Sequence, residues 1–457
     1  MPKYFGTDGF RGEANVQLTF NHAYRIGRFL GWYFSRGRDP HSAKILVGKD
    51  TRLSCYMLEY ALLAGIAASG ADAYNMHVTT TPSVSYITRT QFFDCGIMIS
   101  ASHNPYYENG IKLFSSLGEK MTDDFLLQVE EYMDRDTARD GDLPLAERDR
   151  IGKVIDYMDA RIMYSGFLSS CIHTNLGSLK ILLDTANGAS YAIAPSVFRR
   201  LGATVGVINN TPDGTNINKN AGSTHIEGLV KAAVDGGYDA AFAFDGDSDR
   251  CIAVDATGAV INGDRILYII GSYLKDNNAL DTDTVVTTVM SNMGLYKALE
   301  RKGIKYTQTK VGDKYVHEYM MEHGNIVGGE QSGHIICSKY LNTGDGILTA
   351  LLLSEIMVKT GKSLLELTDD MTDYPQVLVN VIVSDKSAVM NDLSVKAAIE
   401  KESIELEGTG RVLVRPSGTE PVIRVMSEAE NQADAEKAVE NVVEALREKG
   451  YFKGVRK

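Results

Sequence analysis

Residues 96–114 read GIMISASHNPYYENGIKLF, and this is the most informative stretch of the chain. Apolar runs at both ends flank a polar loop, which predicts two strands joined by that loop. The loop places Ser102 beside His103, and Lys112 follows ten residues after the serine. A serine next to cationic groups can carry a phosphoryl group. The alternative is an ordinary polar turn, because Ser, Asn and Pro are turn residues.

A similar unit recurs along the chain. Short apolar runs precede segments of helical spacing that end near Gly70, Gly202 and Gly303, and this alternation predicts α/β units. The apolar runs are residues 45–47, 181–183 and 285–289. Later in each unit, two apolar runs flank a polar loop, at residues 100–109, 245–250 and 328–334. The pattern therefore predicts three similar α/β domains, each with one distinctive loop.

The C-terminal part has a different pattern. Three strand-like runs, residues 377–383, 411–414 and 422–426, precede apolar residues at helical spacing, with Gly450 as the predicted stop. This predicts a smaller α+β domain. The spaced apolar residues are Ala435, Val439, Val442 and Leu446.

Charged segments and length set the predicted domain boundaries. At 457 residues the chain is long enough for three or four domains. Charged stretches at 134–150 and 368–373 mark two boundaries, and a third is placed near Asp255. The predicted domains are residues 1–152, 153–255, 256–367 and 368–457.

Composition narrows the class of protein. Hydrophobic content of 44% and charged content of 23% are typical of a globular protein with a large core. We expect no membrane span, because no apolar run reaches about 18 residues. We expect no secretory signal, because Met1 to Arg11 contain no apolar h-region. A net charge of −12 opposes nucleic acid and anionic membranes as partners. Five scattered cysteines form no metal or disulfide pattern, which predicts a cytoplasmic location. They are Cys55, Cys95, Cys171, Cys251 and Cys337.

Residues 245–250, DGDSDR, form a candidate metal loop. Asp245, Asp247 and Asp249 stand at i, i+2 and i+4 after an apolar strand, so their carboxylates can converge on one hard cation. Three like charges held close repel, and a divalent ion removes that cost. An EF-hand is excluded, because Arg250 and Ala256 stand where Gly and Glu are required. A solvated acidic turn is the alternative.

Two further loops carry polar groups. In residues 328–334, GGEQSGH, Glu330 and Ser332 can bind vicinal sugar hydroxyls, and His334 can exchange a proton. A tight hairpin is the alternative there. In residues 415–424, Arg415 and Arg424 flank hydroxyl and glycine residues, a combination that phosphate recognition uses. The Gly-Lys-Ser/Thr ending of a nucleotide P-loop is absent.

Together with the glycine-rich segment GTDGFRG at residues 6–12, these four loops occur in an order that resembles the α-D-phosphohexomutase superfamily across essentially the whole chain. The closest resemblance is to its bacterial branch that acts on hexosamine phosphates. It implies three α/β domains with mixed sheets and a C-terminal α+β domain related to the TATA-binding-protein fold, arranged around a central cleft.

The resemblance also implies roles for individual residues. It implies that Ser102 is the phosphoserine. It also implies that one Mg²⁺ is bound by Ser102, Asp245, Asp247 and Asp249. The implied catalytic residues are Ser102, His103, Lys112, Arg11 and His334. The implied sugar-binding residues are Arg250, Asp313, Lys314, Glu330, Ser332 and His334. The implied residues for the distal phosphate are Arg415, Ser417, Gly418, Thr419 and Arg424. Lys314 departs from the family pattern, where arginine is usual, and lysine lacks the planar fork.

The implied activity is that of an isomerase. It interconverts glucosamine 6-phosphate and glucosamine 1-phosphate through a phosphoserine enzyme and a hexosamine 1,6-bisphosphate, which also serves as activator. The expected partner is a small phosphosugar, with the protein a monomer or homodimer. A mutase for mannose or glucose phosphates is the alternative within the family. A metal-dependent sugar phosphatase and a catalytically silent phosphosugar-binding protein are the alternatives from other classes.

Overall fold

Apolar runs and helical segments alternate along the chain, and they fold as sheets with flanking helices. The structure, a computed structural model, describes residues 3–417 and 422–456. The chain divides into a larger unit, Met1–Met290 with Ile304–Asp369, and a smaller unit, Ser291–Gly303 with Asp370–Lys457. Over the described ranges the larger unit holds three sheets and the smaller unit holds one.

The first sheet is mixed, and within the described residues it has seven strands in the order β1-β2-β6-β5-β3-β4-β7. Its strands are β1 (Phe5–Gly6), β2 (Gly9–Glu13), β3 (Lys44–Lys49), β4 (Asp72–Val78), β5 (Cys95–Ile99), β6 (Glu108–Ser115) and β7 (Val154–Asp156). The helices of this part are α1 (Phe20–Ser35), α2 (Leu53–Ala68), α3 (Thr81–Thr90), α4 (Asp123–Asp134), α5 (Thr137–Asp140) and α6 (Asp159–Ser170). Strands β3, β4, β5 and β7 pair in parallel, whereas β6 runs antiparallel to β5.

Helices cover both faces of this sheet, as the near-continuous apolar strands predict. Ile45 and Val47 of β3 belong to the core cluster that includes α1 and α2. Leu46, between them, belongs to a second cluster with Val84 of α3. Successive residues of a strand point to opposite faces, so one short run supplies both cores.

The second and third sheets are also mixed. The second has the order β12-β11-β10-β8-β9 and the third β14-β13-β15-β16. The strands are β8 (Lys180–Asp184), β9 (Thr204–Ile208), β10 (Ala240–Phe244), β11 (Cys251–Asp255), β12 (Val260–Ile261), β13 (Thr284–Thr288), β14 (Lys305–Thr309), β15 (Val327–Gly329) and β16 (Ile335–Cys337). The helices are α7 (Ile193–Arg200), α8 (Glu227–Gly236), α9 (Gly263–Asp276), α10 (Met293–Arg301), α11 (Asp313–His323) and α12 (Gly346–Thr360). Of these, α10 lies in the smaller unit.

The smaller unit holds an antiparallel sheet in the order β18-β19-β17-β20. Its further elements are β17 (Gln376–Val383), α13 (Lys386–Asn391), α14 (Leu393–Glu405), β18 (Gly410–Pro416), β19 (Val422–Ala429), α15 (Gln432–Glu448) and β20 (Phe452–Arg456). Three-residue 3₁₀ helices in the chain span Arg148–Arg150, Ala189–Tyr191 and Glu366–Thr368. The three α/β sheets and the α+β C-terminal part confirm the predicted fold class. Strand β20, beyond Gly450, was not predicted.

The polar loops of the larger unit follow the ends of three equivalent strands, and backbone hydrogen bonds join two of them to helices and strands of neighbouring α/β parts. The Gly346 N–H donates to the carbonyl of Ser248 at 3.0 Å, and the Cys251 N–H donates to the carbonyl of Gly333 at 3.0 Å. The Thr81 N–H at the start of α3 donates to the carbonyl of Asp247 at 2.9 Å. The three sheets thus meet at the loop of residues 245–250. Over the part of the chain described, no helix combines the length and apolar character that crossing a membrane requires.

Candidate active site

Ser102 lies in the loop between β5 and β6, as predicted, and its side chain faces the acidic loop of the second sheet. It is buried, and its Oγ donates to Asp245 Oδ2 at 2.5 Å. The same Oγ lies 3.3 Å from Nδ1 of His103. Burial, together with the positive charges of Arg250 and Arg11, lowers the pKa of His103 to about 4. A neutral imidazole therefore stands beside the serine at neutral pH.

The three aspartates of residues 245–250 converge. One ligand oxygen from each of Asp245, Asp247 and Asp249 lies within 4.8 Å of the others, and all three residues are buried. The Oδ1 atoms of Asp247 and Asp249 are buried and have no hydrogen-bond partner in the described structure. Burial and the neighbouring carboxylates raise the pKa of Asp245 well above its usual value. Three buried carboxylates, two of them with an unpartnered oxygen, fit a hard divalent cation.

Lys112 of β6 enters this cluster from the first sheet. Its Nζ lies 2.8 Å from Asp247 Oδ2 and 3.2 Å from both Asp249 Oδ2 and Asp8 Oδ1. Burial alone would lower the pKa of Lys112, but the surrounding carboxylates raise it well above its usual value. Asp8 also pairs with Arg11. The predicted cations Lys112 and Arg11 are thereby brought to the acidic loop.

Asp8 and Lys120 are site residues that the sequence analysis did not find. Lys120 Nζ lies 3.1 Å from Asp8 Oδ1 and 2.6 Å from Asp313 Oδ2, and it also donates to the carbonyl of Thr7 at 2.9 Å. Asp313 belongs to the third α/β part, so Lys120 bridges two parts of the larger unit. The Gly6–Gly12 motif contains Asp8, but no local pattern marks Lys120, whose partner Asp313 is 193 residues away.

His334 lies between two carboxylates. Its Nδ1 is 3.7 Å from Asp249 Oδ1 and its Nε2 is 3.7 Å from Asp313 Oδ2. Burial alone would lower the pKa of His334, but the carboxylates of Asp249 and Asp313 outweigh it and raise that pKa to about 9. The backbone nitrogen of Gly344 lies 3.1 Å from Nε2. With a pKa of about 9 the ring is mostly protonated at neutral pH and can donate a proton.

The described contacts close into a ring of alternating charge. It runs through Asp249, Lys112, Asp8, Lys120, Asp313, His334 and back to Asp249. Each ionised group has a neighbour of opposite sign, which offsets part of the cost of burying it.

A cavity of about 350 Å³ opens beside this ring. Glu330, Ser332 and His334 line it together with Arg250 and Asp313. The Oγ of Ser332 is buried without a hydrogen-bond partner among the described residues. Glu330 is oriented by the Gly312 N–H, which donates to its Oε1 at 3.0 Å. The cavity therefore presents hydroxyl, carboxylate, imidazole and guanidinium groups to one ligand.

Lys314 does not line this cavity. Its ammonium group pairs with Asp123 Oδ1 at 2.8 Å. Lys314 lines instead a neighbouring cavity together with Asp313 and His334. Its predicted sugar contact stays a prediction.

The predicted phosphate residues lie in the smaller unit. Arg415 of β18 and Arg424 of β19 are directly paired across the two strands. Burial and the charge of Arg424 lower the pKa of Arg415. Ser417 follows β18, and its carbonyl accepts from Lys386 Nζ at 2.6 Å. Gly418 and Thr419 lie outside the described residues. Like charges on paired strands repel, so an anion bound beside both residues offsets that repulsion.

Family models match along the chain in the order of its sheets. All four carry the description phosphoglucomutase/phosphomannomutase: alpha/beta/alpha domain I at residues 2–140, domain II at 156–258, domain III at 262–374, and the C-terminal domain at 378–445.

Full-length relatives identify the family more closely. A phosphoglucosamine mutase from Lachnospira eligens is 55% identical over 451 residues, covering 99% of this chain and 100% of that protein. The chain belongs to the phosphoglucosamine mutase family. Another member, from Streptococcus pneumoniae, is 47% identical, covering 98% of this chain and 99% of its own length. The resemblance of the sequence to the α-D-phosphohexomutases is thus confirmed, and the chain is a mutase of this family.

Solved structures of the wider superfamily share the fold. A phosphoglucomutase/phosphomannomutase family protein from Burkholderia thailandensis matches with a TM-score of 0.82 and 21% identity, covering 100% of this chain and 99% of that one. The N-acetylphosphoglucosamine mutase of Aspergillus fumigatus, solved with GlcNAc-6P and magnesium, matches with a TM-score of 0.69 and 17% identity, covering 98% and 96%. At these identities the likeness supports the fold alone.

Proposed function

We propose that this member of the phosphoglucosamine mutase family interconverts glucosamine 6-phosphate and glucosamine 1-phosphate, with Ser102 as the phosphoryl carrier. The observation that carries the proposal is the position of Ser102 Oγ, 2.5 Å from Asp245 in a cluster of three buried aspartates. Lys112 stands on the other side of the same cluster. A nucleophile, a cation site and positive side chains thus meet at one point, as phosphoryl transfer requires.

The proposed reaction is an intramolecular phosphate shift. Phosphoserine 102 gives its phosphoryl group to the free hydroxyl of the sugar phosphate, so that the serine P–O bond breaks and a new sugar P–O bond forms. The hydroxyl proton passes to a base, and we assign this role to the neutral form of His334, whose protonated form returns the proton to the sugar oxygen released in the second transfer. The resulting hexosamine 1,6-bisphosphate reorients in the site so that its two phosphates exchange places. Its other phosphoryl group then passes to Ser102.

We propose one Mg²⁺ with Ser102, Asp245, Asp247 and Asp249 as its ligands. A bound Mg²⁺ supplies charge neutralisation to an oxygen of the transferring group. We assign positive charge beside the transferring group to Lys112 and Arg11, and a hydrogen bond to the neutral ring of His103, whose Nδ1 lies 3.3 Å from the carrier oxygen. The unused oxygens of Asp247 and Asp249 support this ligand set.

The sugar and its second phosphate have separate proposed sites. Arg250, Asp313, Glu330, Ser332 and His334 are proposed to bind the hydroxyl groups, with Lys314 as a further contact. The non-reacting phosphate is assigned to Arg415, Ser417, Gly418, Thr419 and Arg424. One phosphate loop must hold either end of the sugar in turn. Glu330 and Ser332 must therefore bind hydroxyls that look alike in both orientations.

Glucosamine as the sugar rests on the full-length relatives. Its 2-ammonium group also suits a cavity that holds Asp313 and Glu330. A mutase for mannose or glucose phosphates uses the same phosphoserine chemistry and is the second candidate, since the structural relatives carry both names.

The location of the enzyme, its oligomeric state and its domain boundaries are also proposals. We place the enzyme in a reducing cytoplasm, and its five buried, unpaired cysteines support this. We retain a monomer or homodimer as its expected state, and the domain boundaries 152, 255 and 367 stay predictions.

Parallel turnover assays test the proposal. We expect kcat/KM for glucosamine 6-phosphate to exceed that for glucose 6-phosphate and mannose 6-phosphate by at least about ten-fold, a gap of roughly 1.4 kcal/mol. Intact-mass measurement should show one phosphate on Ser102 after incubation with glucose 1,6-bisphosphate, and Ser102→Ala should fold but lose turnover. A preference for mannose phosphate would change the substrate assignment and leave the phosphoserine mechanism intact. Phosphate on another residue would overturn the carrier assignment, and free phosphate without bisphosphosugar would identify a phosphatase.

A further inference from the structure

The backbone of the carrier serine has an unusual conformation. Ser102 has a φ of 54°, in the left-handed region. A residue with a Cβ rarely adopts this region unless its surroundings hold it there. The proposed mechanism uses the side chain of Ser102 and leaves its carbonyl group without a role. That carbonyl nevertheless accepts two hydrogen bonds from side chains, one from each of two different α/β parts.

Arg52 supplies the first of these bonds from within the same α/β part. It is fully buried, and its Nη2 donates to the carbonyl of Ser102 at 2.8 Å. Its Nη1 donates to the carbonyl of Glu108 at 3.0 Å and also to that of Pro105. Asp50 fixes the guanidinium by accepting from Nε at 2.8 Å. Arg52 thus ties the middle of the carrier loop to the start of β6.

Asn218 supplies the second bond from the second α/β part. It is buried, and its Nδ2 donates to the carbonyl of Ser102 at 2.8 Å and to that of Asn104 at 3.1 Å. The metal loop touches the same point. A Cβ added at Gly246 would lie 2.5 Å from the carbonyl oxygen of Ser102 and 3.0 Å from Asn218 Nδ2. The absence of a side chain at Gly246 allows the carrier loop, Asn218 and the metal loop to meet.

We propose that Asn218 and Arg52 are positioning residues for phosphoryl transfer. Between them they bind the carbonyl of Ser102, and this keeps the residue left-handed with Oγ directed at Asp245. Without either donor the loop relaxes toward negative φ, and the rotation of the backbone turns Oγ away from the acidic cluster. Neither side chain lines the sugar cavity, so their loss slows transfer and leaves sugar binding unchanged. The proposal rests on Ser102 as the carrier.

Asn218→Ala tests this with Asn216→Ala as the matched control. Asn216 belongs to the same loop, and its Nδ2 also donates to a backbone carbonyl, that of Thr211 at 3.0 Å, away from Ser102. The first measurement is kcat and KM for glucosamine 6-phosphate at saturating glucose 1,6-bisphosphate. The second is the single-turnover rate of Ser102 phosphorylation by glucose 1,6-bisphosphate, followed by intact mass. Thermal unfolding of each variant is recorded alongside.

For Asn218→Ala we expect kcat and the phosphorylation rate to fall together, by roughly ten-fold, with KM changed by less than about two-fold. Asn216→Ala should match the wild type. Arg52→Lys keeps the charge but loses the fork, so the same split between kcat and KM is expected. If Arg52→Lys does not fold, Asn218→Ala alone decides.

Equal phosphorylation rates in Asn218→Ala and the wild type would overturn the proposal. A raised KM with an unchanged phosphorylation rate would do so as well. A wild type that takes phosphate on a residue other than Ser102 would overturn both this inference and the proposed function, whereas phosphorylation of Ser102 at equal rates in both proteins removes only the inference.

Discussion

Asp345 shows at the scale of one residue how burial makes a charged group sensitive to pH. Its Oδ2 accepts from the hydroxyl of Tyr164 at 2.6 Å, and its Oδ1 accepts from the Leu348 N–H at 3.0 Å. These contacts offset burial only in part, and burial raises the pKa of Asp345 to about 6. The folded protein therefore holds this proton over a pH range in which the unfolded chain, with a pKa near 3.9, has released it.

We expect Asp345→Asn to gain stability relative to the wild type as pH rises. A raised carboxyl pKa means that the wild type loses stability from about pH 4 upward until pH exceeds the folded value. Between pH 5 and pH 7.5 the difference in the free energy of unfolding should move in favour of the variant by about 1 kcal/mol. Urea unfolding at both pH values, at constant Mg²⁺, measures it. A difference that does not change with pH, or that moves the other way, would contradict the pKa assignment.

The hairpin of β18 and β19 shows what a pair of strands adds to single residues. Register places Arg415 opposite Arg424, where two like charges destabilise the sheet. A sequence reading finds both arginines, but only the register brings them face to face. An anion bound beside both arginines would offset this repulsion, which is the physical reason to assign a phosphate to them.

Arg415→Ala should raise KM for glucosamine 6-phosphate by roughly ten-fold or more, because a charge-assisted contact contributes about 1.5–3 kcal/mol. Arg415→Lys should recover only part of the affinity, since lysine lacks the planar fork. Steady-state kinetics of both variants measure this. Arg447→Ala, which removes an exposed arginine paired with Glu444 on α15, is the control. Unchanged kinetics in both Arg415 variants would place the phosphate site elsewhere.

Elements also mark where sequence reasoning succeeds and where it fails. The apolar runs around Ser102 and before Asp245 are local patterns, so the strands and loops that carry these residues could be predicted. Lys120 and Asn218 could not, because their partners lie 193 and 116 residues away. Strand β20 is short and pairs only at the sheet edge with β17, and the sequence FKGVR has no clear alternation. The local sequence pattern specifies helices and strands, whereas the contacts of Lys120 and Asn218 form only when the sheets pack together.

For the molecule as a whole, the loop of residues 245–250 joins the three sheets of the larger unit. Thr81 donates to the carbonyl of Asp247, and Gly346 donates to that of Ser248, so the first and third α/β parts both pack on this loop. The three buried carboxylates at this junction repel each other. Because the α/β parts pack on this loop, the repulsion lowers the stability of the whole larger unit. A cation that binds only the folded arrangement stabilises that unit by mass action.

We therefore expect Mg²⁺ to raise the melting temperature of the transition in which the larger unit unfolds. At a Mg²⁺ concentration of about 100 times Kd the gain is roughly 2.7 kcal/mol, which corresponds to several degrees for a unit of this size. Asp247→Asn should show a smaller shift at the same concentration, because a neutral amide is a poorer ligand for a hard cation. Asp235→Asn, an exposed change on α8, should keep the full shift. Calorimetry with and without Mg²⁺, each sample first treated with chelator, measures the three shifts. If the wild type and Asp247→Asn respond equally, the cation binds elsewhere. If neither responds, the acidic cluster does not bind Mg²⁺ and the proposed ligand set is wrong.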